Sequence, residues 1–132
     1  MPETIIDTEF ATLWYYPDKK IVAHKLHKFF TGQSFKDFFN KGTDVLQQNG
    51  AYKWLSDDRG FSALHPNDRE WAFADWSPRT VKAGWKYWAI IMPESILGQL
   101  STRRLIEAYA AAGVEVQVFA TMDEAIAWLD SK

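Results

Sequence analysis

The residues of this chain that could do chemistry stand closest together in Asp57-Asp58-Arg59, with His65 just beyond. Two carboxylates, a guanidinium and an imidazole in one place can move a proton or grip an anion. The same residues have a plainer use. Asp58 can cap a turn while Arg59 pairs with an acid such as Asp68, because loops at strand ends are polar in most proteins. Signatures of other chemistries are missing: Ser62 and Ser95 lie in no G-x-S-x-G elbow, and there is no G-x-x-x-x-G-K-[ST] or G-x-G-x-x-G. Nucleophilic hydrolysis and a nucleotide-binding loop therefore find no support. His24 and His27, three apart on a predicted strand, point to opposite faces and cannot share an ion. Asp57, Asp58 and His65 follow no known ligand spacing, so neither a metal nor a cofactor is expected.

The elements that must position these residues read clearly. Residues 1–7 form a loose lead-in. Thr8 to Tyr16 is rich in aromatic and β-branched residues and reads as a strand; Pro17-Asp18-Lys19-Lys20 turns the chain, and Ile21 to Lys28 returns antiparallel. Ser34 and Asp37 suggest a capped helix start, with Phe35, Phe38, Phe39, Gly42, Val45 and Leu46 as its apolar face and Asn49-Gly50 as its stop. A short strand, Tyr52 to Ser56, leads to the acidic stretch. Pro66 suits the first turn of a helix, which Ser77-Pro78 kinks or splits. Tyr87 to Met92 is apolar without alternation, as in a central strand covered on both sides. A helix over Leu105 to Ala112 ends at Gly113. Val114, Val116 and Val118 alternate with Glu115 and Gln117, which places that strand near an edge. Thr121 and Glu124 form a capping box for a last helix that buries Met122, Ala125, Ile126 and Leu129.

The expected order is β-β-α-β-α-β-α-β-α, an α/β fold with a mixed, mostly parallel sheet and helices packed on it. Its 132 residues suit a single domain, 1–132. In open sheets of this kind, ligands sit beyond the carboxyl ends of the parallel strands. Asp57, Asp58, Arg59 and His65, together with Glu94, Ser95 and Thr121, are therefore the candidate binding residues.

Bulk composition narrows the classes further. A formal net charge of −2 gives no overall attraction for a phosphate backbone, so no nucleic-acid partner is expected. Cysteine is absent, which excludes disulfides and thiolate chemistry and fits a cytoplasmic setting. The first residues have no signal-peptide pattern, and no apolar run is long enough for membrane insertion. The basic run His24-Lys25-Leu26-His27-Lys28 could meet an acidic partner or simply be the wet face of the hairpin. Aromatic residues reach 16% of the chain, which reads first as a bulky core and second as an apolar groove or a dimer face. Trp71, Trp85 and Trp128 fall off the apolar stripes and are the expected exposed aromatics, suited to another chain or an apolar ligand.

The element order, with Val118-Phe119-Ala120-Thr121-Met122-Asp123-Glu124-Ala125-Ile126-Ala127-Trp128-Leu129, Asp57-Asp58-Arg59 and Ile90-Ile91-Met92-Pro93, resembles the STAS domain. This is the SpoIIAA-like fold of bacterial anti-sigma-factor antagonists and of stand-alone proteins without an assigned function. The resemblance implies regulation by phosphorylation of a Ser or Thr after the third strand, in a pattern near Asp-Ser-Ser/Thr-Gly. Here that stretch runs Gly60-Phe61-Ser62-Ala63-Leu64-His65-Pro66, without the pattern, and Ser62 is the nearest hydroxyl. Three functions follow in order of expectation. The first is a non-catalytic module that binds a protein partner or forms a homodimer. The second is a carrier of a small apolar, lipid-like ligand, and the third an enzyme using Asp57, Asp58, Arg59 and His65.

Overall fold

The structure, a computed structural model, describes residues 2–132. Among them the chain forms β1 (Glu3–Asp7), β2 (Ala11–Tyr16), β3 (Ile21–Leu26), α1 (Gln33–Gln48), β4 (Lys53–Asp57), α2 (Pro66–Trp71), a π-helical turn (Ala72–Trp76), α3 (Ser77–Lys82), β5 (Tyr87–Ile91), α4 (Ile96–Ala111), β6 (Glu115–Phe119) and α5 (Met122–Asp130). The strands lie side by side in chain order, β1-β2-β3-β4-β5-β6. The neighbouring pairs β1–β2 and β2–β3 are antiparallel; β3 to β6 are parallel. The α/β class and mostly parallel sheet read from the sequence are therefore present.

Three local expectations are corrected and one, the Ser77-Pro78 break, is narrowed. The lead-in is a strand: Glu3–Asp7 pairs with β2 through a bulge between Thr4 and Ile6, a feature hidden by its half-exposed pattern. Ser34 does not cap α1. The cap position is Gly32, which supplies no side chain, and the Ser34 hydroxyl donates back to the Thr31 carbonyl at 3.2 Å. The Ser77-Pro78 break is milder than a split, because the rod continues through a widened turn in which Ser77 N–H donates to the Ala72 carbonyl, five residues back. A π-turn tolerates Pro78, which has no N–H to continue the ladder. Finally, α4 begins at Ile96, well before Leu105, with the Ser95 hydroxyl accepting from Gly98 N–H at 3.0 Å.

Alternation along the strands sorts side chains into two layers. Val22, Leu26, Trp54, Trp88 and Ile90 face α1, the α2–α3 rod and α4, and pack with Phe35, Phe38, Leu46, Trp76 and Tyr109. Ile21, Ala23, Leu55 and Ala89 face the other way and take Ala125 and Leu129 of α5. Small side chains on that second face let α5 lie close. The first face is aromatic and thick. Trp54 meets Trp76 edge-on at 5.3 Å, Trp76 meets Trp85 at 5.5 Å, and Trp85 and Trp88 each reach Tyr109 at 5.3 Å. Such tilted pairs add to the ~1.5–3 kcal/mol gained by burying each large apolar side chain.

Gly42 makes room for this layer. A Cβ at that position would collide with the six-membered ring of Trp54. Gly42→Ala is expected to lower stability by ~1–3 kcal/mol through overpacking, read as a lower urea midpoint with an unchanged slope.

Candidate functional site

Between the aromatic face of the sheet and the helices lies a cavity of about 60 Å³. Its walls come from α1 (Phe35, Phe39), the α2–α3 rod (Trp71, Ala72, Trp76) and α4 (Ser101, Thr102, Leu105, Tyr109). Its floor is the sheet: His24 and Leu26 of β3, Trp54 and Ser56 of β4, Trp88 of β5. Phe61, Ala63 and Leu64 of the loop after β4 close one side. Gly98 allows that loop to approach, since a Cβ there would stand 2.6 Å from the Ser62 carbonyl oxygen and 2.7 Å from Pro93.

The indole nitrogens explain why so many tryptophans can surround one space. Trp76 N–H donates to the Phe39 carbonyl (3.1 Å), Trp85 N–H to the Tyr87 carbonyl (3.0 Å) and Trp88 N–H to Ser56 Oγ (2.8 Å). Trp54 N–H donates to His24 Nδ1 at 2.9 Å. With these donors already used, the rings offer the cavity mainly carbon and π-faces.

At the polar end, His24 is 3% exposed, and its Nε2 lies 2.8 Å from Asp58 Oδ1. The Trp54 indole decides the tautomer. Nδ1 accepts a proton donor, so it carries no hydrogen, and the neutral ring bears its proton on Nε2, which donates to Asp58. No other described residue donates a hydrogen bond to the second Asp58 oxygen. Asp58 lines the cavity, and its side chain keeps 14% of its exposure. Sequence reasoning missed His24, Trp54, Ser56 and Trp88. The signal for His24 was available: it alternates with Val22 and Leu26, a polar residue on the greasy face of its strand.

The residues nominated from the sequence do not gather at one centre. Asp57 points the opposite way from Asp58, is 1% exposed, and is clasped by Arg59 through Nε (3.0 Å) and Nη2 (2.8 Å). Burial pushes the Asp57 carboxyl up, but the Arg59 hydrogen bonds and charge outweigh that and hold it below the ordinary aspartate value. Arg59 thus pairs with Asp57, whereas Asp68 receives the Thr31 hydroxyl and Gly32 N–H. His65 is exposed and caps α2, its Nδ1 accepting from Asn67 N–H at 3.1 Å. Glu94 lies at a shallower depression with Lys25, His27 and Arg59. Ser95 caps α4 and ties its hydroxyl to the Ser62 carbonyl at 2.6 Å; the Ser62 side chain is exposed. Thr121 caps α5, accepting from Glu124 N–H at 3.2 Å.

The exposed-tryptophan expectation is also corrected. Trp85 is 2% exposed, held in the core by Trp54, Trp76 and Tyr109. Trp71 is half-buried as a cavity wall, and half-buried Trp128 packs against Tyr87 and Phe119 on the α5 face. No helix among the described residues is long and apolar enough to cross a membrane. No group of three or more acidic or histidine side chains among them is placed to hold a metal ion.

The Asp57–Arg59 pair gives a signed pH dependence. A carboxyl lowered in the folded state stabilises above its unfolded value, near ~3.9, and that contribution fades as pH falls through the folded value. In Arg59→Met the burial remains and the compensating cation is gone. Urea midpoints should drop by the equivalent of ~1–3 kcal/mol at neutral pH, and the deficit relative to the wild type should shrink as pH falls, because burial without the cation raises the Asp57 carboxyl and its protonation then favours the folded state.

Comparison of the chain with protein-family models, with curated proteins and with solved structures gives no match.

Proposed function

We propose that this protein binds a small, largely apolar ligand in the aromatic cavity and serves as a binding or carrier domain. The observation that supports it is the cavity itself: an aromatic chamber in which the indole N–H groups of Trp54, Trp76, Trp85 and Trp88 are already bonded, ending in the His24–Asp58 pair. Ligand sites of this kind combine apolar walls with a few fixed polar groups. Catalysis by the Asp57, Asp58, Arg59 and His65 set has weaker support, because Asp57 and Arg59 neutralise each other and His65 serves as a helix cap.

A partner-binding role in the manner of SpoIIAA-like domains is the second reading. It is favoured by Ile96, Leu97 and Leu100, which are 76%, 70% and 55% exposed along the start of α4. Contiguous apolar exposure of this sort often marks contact with another surface.

Native mass spectrometry of protein freshly purified from cells tests the first reading. The wild type should carry a small-molecule adduct, and Leu105→Trp, which fills the cavity, should lose it while keeping its far-ultraviolet circular dichroism. Only apo mass in the wild type, or an adduct retained by the filled variant, would overturn the reading.

A further inference from the structure

The charge pattern of the cavity narrows the class of ligand. This step rests on the binding role above. The lining contains one carboxylate, Asp58, and no lysine or arginine. His24, the single basic group in the wall, accepts the Trp54 N–H on Nδ1 and is therefore the neutral ring, so it leaves the Asp58 charge in place. The neighbouring cations have other partners: Arg59 pairs with Asp57, and Lys36 lies over the Trp71 ring at 5.9 Å with its charge acting on Asp75. Much of the rest of the wall is indole and phenyl faces, whose quadrupoles are negative, set among aliphatic side chains and the hydroxyls of Ser56, Ser101 and Thr102. Acceptors and π-faces together repel an anion and attract a desolvated cation.

We propose that the ligand is a small organic ammonium: a positively charged amine head seated against Asp58 among the aromatic rings, on a short apolar body. A cavity of about 60 Å³ holds a head of a few heavy atoms. The head would accept no hydrogen bond and donate one to the free Asp58 oxygen. Fatty acids and other apolar carboxylates are excluded by the same charge.

Three four-carbon probes test this: n-butylammonium, 1-butanol and butyrate. Each is titrated into ¹⁵N-labelled protein while the indole N–H resonances of Trp54 and Trp88 are followed. Butylammonium should bind about tenfold tighter than butanol, the ratio set by one well-placed charge contact, and butyrate should bind more weakly than either. Asp58→Asn, which keeps an acceptor for His24, should erase the preference for the amine over butanol. Equal binding of amine and alcohol, or tightest binding of butyrate, overturns the ammonium assignment and leaves the apolar pocket standing. Failure of all three to shift the indoles removes the pocket reading as well. The wild-type series decides the charge question by itself if the Asn variant does not fold.

Discussion

The hydrogen bond from the Trp54 indole to His24 Nδ1 is the contact on which the site depends. It joins two strands at mid-sheet, fixes the imidazole tautomer and directs the remaining ring proton to Asp58. Gly42 leaves room for that indole, since a Cβ there would collide with the ring. One missing side chain on a helix is thus linked, through an aromatic plate, to the electrostatic character of a cavity. A buried polar group needs a partner, and this arrangement meets that need twice over: the indole satisfies the imidazole, and the imidazole half-satisfies the carboxylate.

The same layer shows how the sheet divides its two faces between different tasks. Toward α5 the central strands present Ala23, Leu55 and Ala89, which pack closely and leave a dry contact. Toward the other helices they present Trp54 and Trp88, whose bulk holds the helices away from the sheet. Large rigid rings cannot interdigitate as completely as aliphatic chains, and the incomplete fit remains as a chamber. The excess of tryptophan in the composition is therefore tied to the space as well as to the core around it.

Much of this architecture was legible in the residues. The alternation of Val114, Val116 and Val118 marked an edge strand, the unbroken Trp88-Ala89-Ile90-Ile91 a central one, and Thr121 with Glu124 the start of the last helix. Other features were not. β1 is held by hydrogen bonds to β2 across a bulge, and its weak hydrophobic pattern reflects its place at the edge. The polar cluster Asp57-Asp58-Arg59 was visible, but adjacent residues on a strand diverge, and no linear reading shows that Arg59 folds back on one neighbour while Asp58 meets His24 across the sheet. Trp85 looked exposed because it stands outside any helix stripe, although its ring is buried by contacts from other elements.

The widened turn at Ala72–Trp76 has a consequence for how one helical rod supplies the chamber. On a regular α-helix, residues five apart diverge by roughly 140°, so Trp71 and Trp76 would look in different directions. Both nevertheless line the same space, with Ala72 between them. The surplus residue in that turn retards the helical phase enough to bring the second indole round beside the first, and the rod lends two plates to a wall where an unbroken coil would lend one.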